Sequence, residues 1–296
     1  MRFVTFATGQ GARVGVVGPG AEVLPVAAPD LLVVIRSWDP GSPPPPAGAP
    51  VGSLESLRLM APIPRPARNI FCVGKNYREH ALEFSHSGYD QTSAGDRDPA
   101  GPTGQRPAAV VFTKPPSSVI GPDAAVEPHP AATSQIDYEA ELAVIIGAGG
   151  RDIEPGDAPR HVWGYTIIND VTARDRQRDH QQWFLGKGLD GFCPMGPLAV
   201  TADELDPAGL ARPAVEITCR VNGELRQKAS TADLIFDIPT LIATISAGLT
   251  LEPGDIICTG TPAGVGIGFD PPRFLHTGDE VEIHVAGIGT LRNRVS

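Results

Sequence analysis

Cysteine is scarce in this sequence. Cys72, Cys193, Cys219 and Cys258 are scattered through 296 residues in apolar surroundings, and no two stand in a CxxC spacing. They read as buried, reduced thiols of a cytoplasmic protein rather than as a disulfide framework or a thiolate zinc site. Long apolar runs are lacking as well: no stretch approaches the ~18 to 20 residues that a membrane-spanning helix needs. The opening residues, MRFVTFATGQ, lack the charged-then-apolar layout of a signal peptide and alternate like a strand. Positive charge is in deficit. With 24 Lys and Arg against 34 Asp and Glu, the net charge is −10, and no basic stripe interrupts it. Nucleic acid and anionic membrane surfaces are therefore poor partners. No GK[ST] follows a glycine-rich turn, which speaks against nucleotides, and there is no internal repeat.

What is plentiful is glycine and proline, 34 and 31 residues. Such a chain changes direction often and favours short strands over long helices. With 41% apolar residues it can form a large core plus a small accessory unit. RFVTFA and RVGVVG, joined by GQGA, form a hairpin signal. DLLVVIRSW comes next, then DPGSPPPPAGAP, which can be neither helix nor central strand. The proline-spaced PIPRPAR (62–68) leads into a second unit, so the expected division is 1–62 and 63–296. Beyond it, strand patterns recur: NIFCVG, AAVVFTK, YEAELAVIIG, WGYTIIND, AVEITCRVNG, GDIICTG and DEVEIHVAG. Helical patterns are fewer: NYREHALEF (76–84), TARDRQRDHQQWF (172–184) and TADLIFDIPTLIATISAG (231–248), the last interrupted by Asp237 and Pro239. The expected fold is mainly β with a few packed helices, an α+β protein without βαβ alternation.

The stretch DYEAELAVIIG (137–147) sets three acids two apart at the start of an apolar strand. Same-face side chains along a strand are ~6.5 to 7 Å apart, so Glu139 and Glu141 can converge on one point. Acids on a strand edge can also simply deter aggregation. A third carboxylate, Asp170, ends the apolar strand GYTIIND, at the mouth of a core. Three carboxylates without His or Cys make an all-oxygen site suited to Mg²⁺ or Mn²⁺, with Ca²⁺ also admissible. Asp137 is either a fourth ligand or, the favoured reading, the residue that closes the preceding turn.

FCVGKNYREHALEF, VVFTKPPSSVIGP, DYEAELAVIIG, GYTIINDVTARDRQ, FLGKGLDGFCPMGP and GDIICTGTPAGVG succeed one another in an order that resembles the fumarylacetoacetate hydrolase family. The resemblance covers roughly residues 63–296, and the segment before it looks like the accessory domain of bacterial members. It implies a mixed β-sandwich roll, a Mg²⁺ or Mn²⁺ ion held by Glu139, Glu141 and Asp170, and a homodimer.

Other residues gather around this motif set. His80 and Glu83 are three apart on one helical face. A carboxylate bound to one imidazole nitrogen leaves the other free to take a proton from water; an ordinary exposed pair is the bland alternative. The resemblance favours the water-activating dyad. If VTARDRQ begins a helix, Asp170, Arg174 and Gln177 share a face, placing Arg174 either on a substrate oxygen or in a surface ion pair. Lys187 is flanked by glycines that permit close approach, and its counterpart in relatives binds the 2-oxo acid end of the substrate. Lys114 in FTKPPSS either contacts substrate or caps its strand. TGTPAGVG has the glycines of an anion-cradling turn, and the resemblance gives Thr261 a substrate contact.

The implied reaction is C–C hydrolysis of a 2,4-dioxo acid of the acylpyruvate, fumarylpyruvate or fumarylacetoacetate type, in aromatic-compound catabolism. Water activated by His80 attacks the distal carbonyl, and the cation stabilises the enolate that leaves. Oxaloacetate decarboxylation and 2-oxo-4-enoate isomerisation or hydration pass through the same enolate and stand as alternatives. A cation-binding β protein without catalysis is the reading from a different class; it leaves His80, Glu83, Arg174 and Lys187 unexplained. Between Phe84 and Pro107 runs an insertion rich in Gly, Ser and Asp, either a lid carrying Tyr89, Arg97 or Arg106 to the substrate's far end, or a passive solvated loop.

Overall fold

A computed structural model describes residues 1–37, 48–89 and 108–296. The alternating N-terminal stretch forms the expected hairpin, Arg2–Thr8 with Gly11–Val17, and buries Phe3, Val4, Phe6 and Val14 on the sheet. DLLVVIRSW supplies the six-residue helix Leu31–Arg36. Asp30 caps it by accepting the Val33 N–H, and Leu31, Val34 and Ile35 are buried.

The hairpin belongs to one large mixed sheet built mostly from strands later in the chain. From the edge Val23–Pro25 and the hairpin, the order continues through Cys193–Thr201, Val162–Asn169, Ala140–Ile146, Ile256–Cys258, Ile70–Gly74 and Val110–Lys114. Arg2 and Phe3 pair antiparallel with Val200 and Ala199, so the sheet crosses the 62/63 boundary. A second sheet runs Glu224–Ser230, Glu216–Val221, Glu280–Val285, Gly289–Val295 and Ala125–Val126. Leu142, Val144, Tyr165 and Ile167 of the large sheet pack with Ile217, Cys219, Ile283 and Val285 of the second. The opposite face of the large sheet, with Ala143, Ile145 and Ile168, packs against the helix Leu31–Arg36. That period-two alternation is why Ala140–Ile146 is buried throughout, with apolar residues on both faces beyond Glu141. The fold is therefore α+β, mainly sheet with few helices, as the sequence implied. All four cysteines are buried and free.

Three elements differ from expectation. Cys193–Thr201 is a central strand despite Pro194 and Pro197: the register against Val162–Asn169 shifts between Tyr165 and Ile167, opposite Pro197, and Pro194 lies beyond the last pair of that ladder, Ile168 with Met195. The pattern 172–184 is not one helix. It gives Arg174–Asp179, a break, and the short helix Phe184–Lys187. In 231–248, Asp237 and Pro239 mark a helix start rather than an interruption: Asp237 caps Ile238–Ser246 through the Thr240 N–H, and Pro239 lies in the first turn.

Candidate metal centre and active site

The central strand and its neighbour deliver the acids. Asn169 Oδ1 accepts the Glu139 N–H at 3.0 Å, and the Asp170 N–H donates to the Glu139 carbonyl at 2.9 Å, so the two strand ends are locked together. Glu139, Glu141 and Asp170 are buried, and each offers a carboxylate oxygen within 4.8 Å of the others. Buried like charges this close require compensation. Lys187 Nζ donates to Glu139 Oε2 and to Asp170 Oδ2, both at 2.7 Å. Arg174 Nη2 lies 2.7 Å from Glu139 Oε1 as an ion pair, without the alignment of a hydrogen bond.

The compensation is uneven. Burial pushes the Glu139 carboxyl up, but the Lys187 ammonium and the Arg174 guanidinium outweigh it and hold the group down at about 2. Among the described residues Glu141 accepts the Gly260 N–H alone, at 2.7 Å, and burial together with the Asp170 and Glu139 charges drives its carboxyl well up. Burial also works against charge on Lys187, yet Asp170 and Glu139 reverse it and keep the ammonium. A site with two cation-paired carboxylates and a third lacking a cation fits a divalent ion with oxygen preference.

His80 is buried and Glu83 partly so, and the two are not an exposed surface pair. His80 sits on the helix Arg78–His86 with Nδ1 3.1 Å from Glu83 Oε2, and the other Glu83 oxygen accepts the Gly264 N–H at 2.9 Å. His80, Arg174, Gln177, Lys187 and Thr261 line one cavity with Glu139 and Glu141. The structure thus brings together most of the residues singled out in the sequence.

Several expected geometries are replaced. Asp170 is not on a helical face with Arg174, because the strand Thr172–Ala173 intervenes and the helix begins at Arg174 itself. Arg174 is fully buried rather than in a surface ion pair; its Nε donates to Asp137 Oδ2 at 2.8 Å and its Nη1 to Gln177 Oε1 at 3.0 Å. Asp137 is neither a metal ligand nor merely a turn residue. It accepts from Tyr138 N, Gly266 N, Ile267 N and Arg174 Nε, tying the loop after Thr261 to the site. Lys114 is not among the residues that line the cavity. Its buried ammonium donates to Asp170 Oδ1 (2.6 Å), the Val171 carbonyl (3.0 Å) and the Lys187 carbonyl, which uses all three protons. Tyr89 donates to Gln135 at 2.9 Å and packs on Phe274; Arg97 and Arg106 lie outside the described residues.

Two participants carried no sequence signal. Gln227 accepts the Ala140 N–H and donates to Thr261 Oγ1 and the Pro262 carbonyl, binding the acidic strand to the glycine loop. Trp183 lines the cavity beside Phe84 and Phe112.

Residues 69–296 match the family model for the fumarylacetoacetate hydrolase C-terminal domain. The chain belongs to the fumarylacetoacetate hydrolase family. It is 50% identical to oxaloacetate tautomerase YisK of Bacillus subtilis over 244 residues, 82% of this chain and 74% of that protein. Among solved structures, a fumarylacetoacetate hydrolase from psychrophilic Exiguobacterium antarcticum is 44% identical with a TM-score of 0.80, covering 100% of this chain and 99% of that one. A 2-hydroxyhepta-2,4-diene-1,7-dioate isomerase from Mycobacterium marinum is 34% identical with a TM-score of 0.75, covering 100% and 98%. This fumarylacetoacetate hydrolase-family protein thus stands among enzymes that act on small-molecule acids. Among its described residues no helix is long and apolar enough to cross a membrane.

Proposed function

We propose that this protein is a divalent-metal-dependent enzyme that interconverts the enol and keto forms of a compact 2-oxo diacid of the oxaloacetate type. The observation that carries this reading is the pairing of His80 with Glu83 in the same cavity as Glu139 and Glu141, where a base held in one orientation faces a site for a cation. That arrangement suits an acid whose reaction is a proton shift. The tautomerase activity in the name of the 50% identical relative points the same way.

Glu139, Glu141 and Asp170 would hold Mg²⁺ or Mn²⁺, which when bound supplies a Lewis acid toward the 2-oxo group. Glu83 fixes the imidazole through Nδ1, so that Nε2 of His80 gives and takes the proton at the carbon between the two carbonyl groups. Lys187 and Arg174 hold positive charge where the oxo-carboxylate end would sit, and Thr261 and Gln177 complete its polar surroundings. Phe84 and Trp183 keep water from the proton in transit. The active protein would be a homodimer.

A second reading, C–C hydrolysis of an acylpyruvate, has one observation in its favour: His80, held by Glu83, lines the cavity where a base for an attacking water would be needed. The two are separated by following the ultraviolet decay of enol-oxaloacetate and, in parallel, the release of pyruvate from acetylpyruvate. Accelerated ketonisation is expected, lost with EDTA, restored by Mg²⁺, and lowered roughly 10²- to 10⁴-fold in His80→Ala. Cleavage of acetylpyruvate with enol decay left at its spontaneous rate would replace tautomerisation by hydrolysis. Full ketonisation activity in the exhaustively chelated protein would reject the metal site.

A further inference from the structure

The cavity has two unlike halves. One is charged and polar, with the acids, Lys187, Arg174 and His80; the other is an aromatic wall of Phe84, Phe112 and Trp183. Trp183 is the keystone of that wall. Its indole meets Phe84 edge-on at 5.8 Å and Phe112 edge-on at 5.3 Å between ring centroids. The six-membered part of the indole lies directly over Gly74, where an added Cβ would overlap Trp183 Cζ3. The backbone is fixed too: the Trp183 carbonyl accepts from Gly186 N at 2.9 Å and from Lys187 N at 3.0 Å. The turn that seats the indole is therefore the turn that presents Lys187 to the carboxylates.

We propose that Trp183 is the specificity-determining residue of this site, setting the largest acid it accepts; this rests on the reading of the cavity as a 2-oxo acid site. An acid held by its oxo-carboxylate end in the polar half must direct the rest of its chain at the aromatic wall. There the indole is the largest group, and it fills the volume that a longer substituent needs. Phe84 and Phe112 meet it edge-on. Gly74 is part of the same device, because the indole occupies the space that a side chain at position 74 would take.

The test is a ratio of affinities. Binding of pyruvate, 2-oxohexanoate and phenylpyruvate to the Mg²⁺-loaded protein is measured by titration calorimetry for wild type, Trp183→Ala, Trp183→Phe and Gly74→Ala. Wild type should disfavour the two longer acids relative to pyruvate. In Trp183→Ala this penalty should shrink by roughly tenfold or more, the scale on which a pocket discriminates added carbon atoms. Trp183→Phe should fall between. Gly74→Ala, which displaces the indole from its seat while keeping the tryptophan, should also shift the penalty. If Trp183→Ala does not fold, the Phe and Gly74 variants carry the same comparison. An unchanged ratio across the variants would overturn the role of Trp183 alone. A wild type that binds none of the three acids would instead overturn the reading of the site.

Discussion

Glu139 and Glu141 share one strand face, yet only Glu139 has cationic partners, Lys187 and Arg174. Without a bound ion, burial and its two acidic neighbours raise the Glu141 carboxyl well above its ordinary range, which favours the protonated form that a metal must displace. Affinity for Mg²⁺ should therefore rise with pH, and binding should be accompanied by a proton release that grows as the pH is lowered. Calorimetry in buffers of different ionisation enthalpy measures that release, and Glu141→Gln should abolish it. Metal binding with no proton release by the wild type would show Glu141 already ionised. The triad was legible in the sequence because period-two spacing and a strand end place carboxylates by simple geometry. Lys114 was legible as a residue but not as a role, since its partner Asp170 lies 56 positions away and nothing local announces it. Gln227 reaches Ala140 across 87 positions and was invisible for the same reason.

The helix Arg78–His86 depends on a loop far along the chain. Glu83 both orients His80 and accepts the Gly264 N–H, and Gly268 lies so close that an added Cβ would overlap Glu83 Oε1. Gly268→Ala should therefore push Glu83 off the imidazole. We expect kcat to fall at least about tenfold, towards the loss expected for a general base, with Mg²⁺ affinity close to wild type because no metal-site carboxylate moves. Wild-type kcat in Gly268→Ala would show that the contact between His80 and Glu83 is not needed. The helix itself was readable from NYREHALEF, and the strands with uniform apolar runs were readable too. Cys193–Thr201 was not, because its prolines argue against a central strand; a register shift opposite Pro197, a tertiary feature, and the position of Pro194 beyond the end of that ladder make them tolerable. The pattern 172–184 misled in the opposite sense: polar helix formers continue through a break that is set by the seating of Trp183 and Lys187.

At the scale of the whole molecule, the large sheet does not respect the boundary that composition suggests near residue 62. Phe3 and Phe6 are buried, and Arg2–Thr8 covers one edge of Cys193–Thr201. Deleting residues 1–62 should therefore expose that edge and its apolar face, lowering the melting temperature and the soluble yield. The metal-site carboxylates would be untouched in sequence, so an unchanged melting temperature would establish the N-terminal segment as an independent unit. The pairing of Arg2 with Val200 also has a consequence in time. A ribosome adding ~5 to 20 residues per second leaves the N-terminal hairpin outside for about 10 to 40 s before its partner strand is made. During synthesis it is an orphan edge with a buried face still uncovered, waiting on a strand from the far half of the chain. Rapid translation and chaperones that shield exposed strands should therefore raise the yield of active protein more than slow synthesis does.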